Sequence, residues 1–328
     1  MTKTLKSMVD EDHEWRDVAA MSAKEAANLI HSDGIDILIE LNGQTSGNRL
    51  DIVALRPAPI QMTYLGYPNT TGLKEVDYRI TDSLADPEGT QQGFSEELLR
   101  LPDCFLCYPP PPDLPPVSPP PFVSNGVVTF GSFNYLGKIT ADVVRVWCRI
   151  LGSVEGSRLV MKAKMFGSQD VADKWRRVFS EHRISPDRVD LLPHTKGLTD
   201  HLNTYSRVDI ALDSFPYAGT TTTCEALLMG LPVVSLKCSP KGPQSHAQNV
   251  CFSLLSQVSL PDLATDSEDS YHSAAVSLAN DTKRLGGLRS TLREALLGSP
   301  LCNGTRFCKQ MGELCGGAWV RWCDAGVG

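Results

Sequence analysis

The sequence predicts an α/β protein made of two lobes, each built on a parallel sheet. Short apolar strands alternate with amphipathic helices after residue 121, which is the pattern of parallel βαβ units. A shorter alternation precedes residue 108. Between the two lies YPPPPDLPPVSPPP, Tyr108 to Pro121, which is mostly proline and therefore cannot be helix or central strand. We expect an extended, semi-rigid linker over residues 109–121.

The amino-terminal lobe, residues 1–108, is predicted to be incomplete. A full lobe of this type usually needs roughly 150 residues, so this one looks clipped at its front. Its strand IDILIEL is expected to be buried. Helices are expected at 22–32 and 48–55, and strands at 35–41, 60–66 and 77–82.

The carboxy-terminal lobe, residues 122–300, alternates more regularly. A further helix is expected to open near Ser245, and the tail 268–325 reads as helical with a break at GSPLCNGT. The final segment, 301–328, is expected to be a helix that packs back across the lobes. Strands are expected at 126–133, 158–163, 188–193, 208–212 and 232–236, and helices at 141–152, 168–182, 197–206 and 221–229.

Composition excludes several classes of protein. The 328 residues carry a net charge of −7, which argues against a general nucleic-acid binder. No apolar run is long enough to cross a bilayer, and the first residues lack a signal-peptide core. The ten scattered cysteines fit reduced thiols, and Cys104 and Cys107 are expected to be two semi-buried thiols rather than metal ligands. We expect a protein of the cytoplasm and nucleus, with no membrane partner.

The most informative stretch is Gly219-Thr220-Thr221-Thr222-Thr223-Cys224-Glu225, which follows a predicted strand and opens a helix. The first turn of a helix has unpaired N–H groups and partial positive charge, and threonine hydroxyls add donors. This combination predicts a diphosphate site, with Glu225 accepting from ribose hydroxyls. The alternative is ordinary capping, for which one threonine would suffice.

A second strand end, FGSFNYLGKIT, faces the same predicted edge. It brings Asn134 and Tyr135 to the nucleotide side, and Lys138 is placed to neutralise a departing diphosphate. The alternative is a surface lysine beside a glycine turn. His201, on a short helix near the same edge, is a candidate contact of the pyrophosphate or the nucleotide, with a structural role as the alternative. His246 opens a further predicted helix and belongs to a second donor set for the nucleotide, with capping as the alternative.

The loop GYPNTTG in the front lobe follows a predicted strand. We expect Gly66, Tyr67, Pro68 and Asn69 to face the sugar or the acceptor. The only D-x-D, Asp10-Glu11-Asp12, has no strand before it, so no metal and no cofactor are expected. A dinucleotide dehydrogenase would need G-x-G-x-x-G after a strand, which is absent. Two Rossmann-like lobes with a linker instead favour the GT-B glycosyltransferase architecture.

The sequence as a whole resembles the catalytic region of the SPINDLY-type protein O-fucosyltransferase and O-GlcNAc transferase family, glycosyltransferase family 41. The resemblance covers residues 25–325. It rests on RPAPIQ…LGYPNTTG, VDYRITDSLADP, LPDCFLCY, FGSFN-x-L-x-KI, LDSFPYAGTTTTCEALLMGLPVV and GSPLCNG. It implies an inverting enzyme that glycosylates Ser and Thr of nuclear and cytosolic proteins. The family's conserved lysine falls on Lys138, its nucleotide-contacting histidine on His201, its phosphate-binding helix start on Thr221 and Thr222, and its ribose-binding acid on Glu225.

The sequence departs from the family pattern in three places. The amino-terminal tetratricopeptide repeats are absent, as is the front segment that holds a histidine important for catalysis, and the loop KCSPKGPQSHAQN is longer than usual. The chain therefore reads as a fragment or truncated gene model. The alternative function is accordingly a non-catalytic nucleotide-sugar-binding fragment. No general base stands out among Asp33, Asp36 and Glu40.

The donor depends on one position. O-GlcNAc transferases that resemble this chain carry a histidine between the glycine and the threonine pair of the helix start. Here that position is Thr220, as in SPINDLY-type proteins, which transfer fucose from GDP-fucose. The resemblance therefore implies GDP-fucose, with UDP-GlcNAc as the alternative donor.

Overall fold

The computed structural model describes residues 14–90, 92–238 and 243–326. By packing, these residues form two compact units. The first contains residues 14–80, 94–98 and 315–326, and the second contains the remaining described residues up to 314. This division differs from the predicted one, which followed the chain, because 81–93 and 99–108 belong to the second unit.

The first sheet has four strands in the order β1-β2-β3-β4, with β2 parallel to both β1 and β3. The helix before it is stopped from fraying by a capping box, in which Ser22 and Glu25 satisfy each other's backbone N–H groups. β4 was not predicted, because its sequence ELLRL is short and alternates only weakly. The elements are α1 (Ala23–Ser32), β1 (Ile37–Glu40), α2 (Leu50–Val53), β2 (Ile60–Thr63), β3 (Tyr78–Asp82) and β4 (Glu97–Leu101).

The expectation that the first strand is buried is wrong. Every residue of β1 is only half-buried, and the flanking Ile35 and Leu41 are 39% and 56% exposed. The reason is its position: β1 lies at the edge of the sheet, whereas β2 in the interior is buried throughout. A near-continuous apolar sequence does not by itself distinguish an edge from a centre.

The second sheet has six strands, all joined by parallel pairs, in the order β10-β9-β8-β5-β6-β7. The alternation of strands and helices is confirmed. The elements are α3 (Phe122–Asn125), β5 (Thr129–Ser132), α4 (Ala141–Ser153), β6 (Arg158–Lys162), α5 (Gln169–Glu181), β7 (Val189–Leu192), α6 (Leu198–Asn203), β8 (Ile210–Leu212), α7 (Thr221–Leu228), β9 (Val233–Leu236), α8 (His246–Gln257), β10 (Ala264–Thr265), α9 (Glu268–Asn280), α10 (Thr282–Leu297) and α11 (Gly304–Asp324).

The core of the second unit is organised around Trp147, which is fully buried on α4. Thr140 caps α4 by accepting from the Val143 N–H at 3.3 Å, and most apolar residues of the helix are buried. The indole N–H of Trp147 donates to the hydroxyl of Tyr271 at 3.3 Å, and that hydroxyl donates to the Asp213 carbonyl at 2.9 Å. The core therefore holds the strand end that follows β8.

The proline-rich segment, residues 109–121, forms neither helix nor strand. It is anchored by Arg289 of α10, which is 4% exposed. The guanidinium donates to the carbonyl and the hydroxyl of Ser118 at 2.9 and 2.8 Å. Burial lowers the pKa of Arg289 to about 10. These two hydrogen bonds fix the part of the expected linker around Ser118 to α10 in the second unit.

The helical tail is confirmed, with its break at residues 298–303 between α10 and α11. All ten cysteines are free thiols. Cys107 is half-buried, as the sequence predicted, whereas Cys104 is fully buried, and burial raises the pKa of Cys104 to about 12. In the described ranges, no helix is both long and apolar enough to cross a membrane.

Candidate active site

The order of strands in the second sheet creates a crevice at the ends of β5 and β8. These strands are neighbours, with Phe130 opposite Ile210 and Gly131 opposite Ala211. From β5 the chain adds β6 and β7 on one side, and from β8 it adds β9 and β10 on the other. Ligands of open α/β sheets bind where the strand order reverses in this way. The loops after β5 and β8, together with the first turns of α7, carry most of the predicted site residues.

Asp213 organises this crevice, although the sequence reading did not single it out. Its side chain is buried at 2% exposure. Oδ1 accepts from the N–H groups of Gly219 and Ser214 at 2.7 and 2.9 Å and from the Asn134 amide at 3.1 Å. Oδ2 accepts from the Ser235 hydroxyl at 2.7 Å. A carboxylate at the end of an apolar strand, in IALDSF, was the available signal.

Burial raises the pKa of Asp213, while its hydrogen bonds and nearby Lys138 act in the opposite direction. Asn134 supports the site from within the protein, because it is only 6% exposed and its side-chain amide donates to Asp213. The neighbouring Tyr135, in contrast to the buried Asn134, is 72% exposed.

Lys138 lies in a 3₁₀ turn after β5 and reaches across to the loop after β8. Its ammonium donates to the Ala218 carbonyl at 2.9 Å and stands 3.7 Å from the centroid of the Tyr217 ring. Burial lowers the pKa of Lys138, and the negative charge of Asp213 raises it. The predicted convergence of the two strand-end loops is confirmed by this contact.

The start of α7 lacks the side-chain hydrogen bond that an ordinary N-cap residue makes. Thr220 stands at the N-cap position but its side chain makes no capping hydrogen bond. Thr221 is exposed and Thr222 half-buried, whereas Thr223 is buried and its hydroxyl donates back to the Gly219 carbonyl at 3.2 Å. The first-turn N–H groups of α7 are thus left for a ligand or for water.

Close packing favours glycine at position 219. A Cβ at this position would lie 3.0 Å from Asn134 Oδ1 and Thr223 Oγ1, and 3.1 Å from Asp213 Oδ1. Its N–H is already bonded to Asp213. Gly219 therefore shapes the loop, while the donors that remain open begin further along α7.

His201 and Glu225 meet at the same edge. His201 Nε2 lies 2.9 Å from Glu225 Oε2, and the Tyr205 hydroxyl donates to the same oxygen at 3.1 Å. Lys162, at the end of β6, lies 2.7 Å from His201 Nδ1. Beside them is an open pocket of about 220 Å³. It is lined by Phe133, Asn134, Tyr135, Lys162, Ala163, Lys164, His194 and His201.

His246 is placed differently from the other predicted nucleotide contacts. It is 2% exposed, and its Nδ1 lies 2.6 Å from Asp86 Oδ2. Its backbone N–H donates to the Gln92 side chain at 2.7 Å. The next residue, Ala247, accepts from the Ala218 N–H at 3.0 Å, so the first turn of α8 supports the loop after β8. The imidazole itself is directed into the protein.

The predicted acceptor-side loop lies in the first unit. Gly66 is exposed, and a Cβ there would lie 1.9 Å from the Leu41 carbonyl oxygen, so only glycine fits. Tyr67 and Pro68 are half-buried. Asn69 is exposed and its carbonyl accepts from Arg79 at 2.8 Å.

Glu96 holds the threonines that follow this loop. It accepts from the Thr70 hydroxyl at 2.6 Å and from the Thr71 N–H at 2.7 Å, and it also bonds the Thr71 hydroxyl. Burial alone would raise the pKa of Glu96, but these hydrogen bonds outweigh burial and the pKa is lowered. The carboxylate is therefore a fixed part of the loop.

We expect the loop to loosen in acid. A carboxylate whose folded-state pKa is lowered contributes stability above its unfolded pKa of about 4.3, and this contribution is lost as the pH falls through the lower folded value. Amide exchange at Thr71, corrected for the intrinsic rate, should show protection that falls below about pH 4. Glu96→Gln should lack this pH dependence. Equal profiles for the two proteins would contradict the role of Glu96.

The three carboxylates considered as general bases do not share one environment. Asp33 accepts from Arg16 at 2.9 Å. Glu40 accepts from the Thr63 hydroxyl at 2.9 Å and also binds the N–H groups of Asn42 and Gly43. Asp36 is exposed. The geometry of Asp33 and Glu40 is that of carboxylates that hold local structure.

Metal-ligating side chains are not clustered in residues 14–90, 92–238 and 243–326: no group of three His, Cys, Asp or Glu is arranged to hold an ion. The motif from Asp10 to Asp12 lies outside the described residues.

Comparison with known proteins gives consistent matches. A family model described as Glycosyl transferase family 41 matches residues 2–108 and 122–311. A Petunia hybrida protein named "Probable UDP-N-acetylglucosamine--peptide N-acetylglucosaminyltransferase SPINDLY" is 49% identical over 313 residues, which cover 95% of this chain and 33% of that protein. The Arabidopsis thaliana protein with the same enzyme name and the designation SEC is 31% identical over 324 residues, covering 96% of this chain and 32% of that protein.

Among solved structures, a mutant of the O-GlcNAc transferase of Thermobaculum terrenum matches with a TM-score of 0.90 and 33% identity, over 99% of this chain and 60% of that chain. This match confirms the predicted GT-B fold class. The chain spans about a third of the length of the curated relatives named above.

Proposed function

The chain belongs to glycosyl transferase family 41, and from this premise we propose that it is the catalytic part of a nucleotide-sugar-dependent protein O-glycosyltransferase. One observation carries the proposal. At the reversal of strand order, the half-buried ammonium of Lys138 donates to the carbonyl of Ala218, three residues before the first residue of α7, whose N-cap makes no side-chain hydrogen bond. A fixed cation beside open helix N–H groups is suited to a diphosphate.

In the proposed reaction, the hydroxyl oxygen of an acceptor Ser or Thr forms a bond to the anomeric carbon of the sugar. The bond from that carbon to the diphosphate breaks, the nucleoside diphosphate leaves with the electron pair, and the configuration inverts. Lys138 and the start of α7, at Thr221 and Thr222, stabilise the charge that develops on the leaving group. His201 and Glu225 hold the nucleoside, and the proton of the hydroxyl passes to a base.

The proposed donor is GDP-fucose, and the alternative is UDP-GlcNAc. Thr220 supports fucose, because O-GlcNAc transferases resembling this chain have a histidine at that position. The names of the relatives above support the alternative, since both specify UDP-N-acetylglucosamine. The proposed acceptors are Ser and Thr of cytoplasmic and nuclear proteins, with no metal and no cofactor taking part.

Calorimetric titration with GDP and UDP separates the two donors. We expect GDP to bind at least about tenfold more tightly, a difference of about 1.4 kcal/mol. Thr220→His should narrow this preference, because it introduces the side chain typical of the other donor class. Thr282→His, the same change at the first residue of α10, is the matched control. Tighter binding of UDP by the unaltered chain would exclude the fucose assignment.

A non-catalytic nucleotide-sugar-binding fragment is the second candidate. It is favoured by the candidate general bases, since Asp33 and Glu40 are already engaged by Arg16 and Thr63. A transfer assay with both donors decides: binding of nucleotide with no transfer to any protein acceptor would favour the fragment, and turnover would exclude it.

A further inference from the structure

Lys162 is a buried lysine that the proposed reaction does not use. It is the last residue of β6 and is 4% exposed. Its ammonium lies 2.9 Å from Thr195 Oγ1, 2.7 Å from His201 Nδ1 and 3.4 Å from Thr204 Oγ1. An ammonium has three hydrogens, and here three protein acceptors surround it. Lys162 is therefore not arranged as a direct ligand of a phosphate, in contrast to Lys138.

The contact with Lys162 determines the protonation pattern of His201. A lysine ammonium donates hydrogen bonds and cannot accept them. Nδ1 of His201 must therefore present its lone pair to Lys162, so that in the neutral imidazole the hydrogen is on Nε2. Nε2 in turn faces Glu225 Oε2 at 2.9 Å, to which it donates.

The same arrangement leaves one oxygen of Glu225 for a ligand. Tyr205 is buried, which raises its pKa well above the usual value, so its hydroxyl remains a donor. Both Tyr205 and His201 donate to Oε2 of Glu225. Among the hydrogen bonds of the described residues, none occupies Oε1. A carboxylate oxygen accepts two hydrogen bonds readily, which matches the two neighbouring hydroxyls of a ribose.

We propose that Lys162 is a positioning residue of the nucleotide site. It holds His201 in the Nε2–H tautomer, and His201 with Tyr205 then turns Glu225 so that Oε1 meets the ribose hydroxyls. This inference rests on the proposed function, since the ribose belongs to the nucleotide of the donor. Lys162 affects how tightly the nucleotide binds, whereas Lys138 stabilises the charge on the leaving group.

The first experiment reads the tautomer directly in the unaltered chain without ligand. In ¹⁵N nuclear magnetic resonance of His201 at neutral pH, we expect an unprotonated Nδ1 and a protonated Nε2. In Lys162→Met, the Nδ1–H form should become populated, while Lys162→Arg, which keeps a cationic donor, should retain the original tautomer. A hydrogen on Nδ1 in the unaltered chain would overturn the proposal, whether or not the variants fold.

The second experiment measures binding and turnover. Lys162→Met should weaken the binding of the nucleoside diphosphate by about tenfold to a hundredfold, as expected for the loss of hydrogen bonds to a charged group. Turnover at saturating donor should stay close to that of the unaltered chain. Lys174→Met, which removes an exposed lysine on α5, is the matched control and should bind normally. Unchanged binding in Lys162→Met overturns the proposal.

The two failures are distinguishable. If the unaltered chain binds no nucleoside diphosphate, the proposed function fails, yet the tautomer of His201 can still be read. If it binds nucleotide and His201 carries its hydrogen on Nδ1, only the positioning role of Lys162 fails.

Discussion

Lys138→Met is expected to lower transfer by at least about a hundredfold, the effect of removing one preorganised group that stabilises developing charge. Methionine keeps most of the aliphatic stem, so its methyl group can pack against the Tyr217 ring, whose centroid lies 3.7 Å from the ammonium of Lys138. It loses the ammonium that donates to the Ala218 carbonyl. The variant removes the charge that the leaving diphosphate needs, and the fold should be intact.

The measurement is kcat at saturating donor together with the thermal midpoint of unfolding. Lys174→Met is again the control, because it removes the same charge at an exposed position of α5. The expected result is a fall in kcat for Lys138→Met alone, with both midpoints close to that of the unaltered chain. Turnover retained in Lys138→Met would remove this residue from the mechanism.

Asp213→Ala is expected to be the most destabilising change near the site. Four donors, from Gly219, Ser214, Asn134 and Ser235, would lose their acceptor in a buried place. Leaving a buried donor unsatisfied costs about 1–3 kcal/mol. After relaxation we expect the free energy of unfolding to fall by about 3–5 kcal/mol, as when one partner of a buried charged network is removed.

Urea unfolding measures this loss, and Asp213→Asn is the matched variant. Asparagine keeps an acceptor for the loop N–H groups, and its amide can donate to the Ser235 hydroxyl. Its destabilisation should therefore be clearly smaller. Equal unfolding free energies for Asp213→Ala and the unaltered chain would show that the carboxylate does not hold the loop after β8.

Much of this architecture was predictable from local sequence. The helix predicted at 141–152 is observed at Ala141–Ser153, where the apolar residues recur at helical spacing. The strand RLVMK lies within the strand predicted at 158–163. Its final lysine, Lys162, was nevertheless not recognised as part of the site. A lysine at a strand end is common, and nothing local shows what its ammonium contacts.

Chain pattern misled where position in a sheet matters. The sequence of β1 is apolar and predicted a buried strand. In the sheet, however, β1 has a neighbouring strand on one side only, β2, and its residues are therefore half-buried. His246 was predicted as part of a helix-start donor set, and in the fold its backbone N–H donates to Gln92 while its imidazole faces Asp86. Both outcomes depend on residues distant in the chain, which no local pattern reports.

The alternation of strands and helices, the family, and the loops that carry Lys138 and the threonines were predictable from the sequence alone. Those features follow from periodicity, turn residues and long specific motifs. Three features became visible in the folded protein alone: β5 lies beside β8, Asp213 joins the loops that follow them, and Lys162 contacts His201, which in turn contacts Glu225. The physical reason is that strand pairing and buried hydrogen bonds join residues far apart in sequence, and their partners are set by packing.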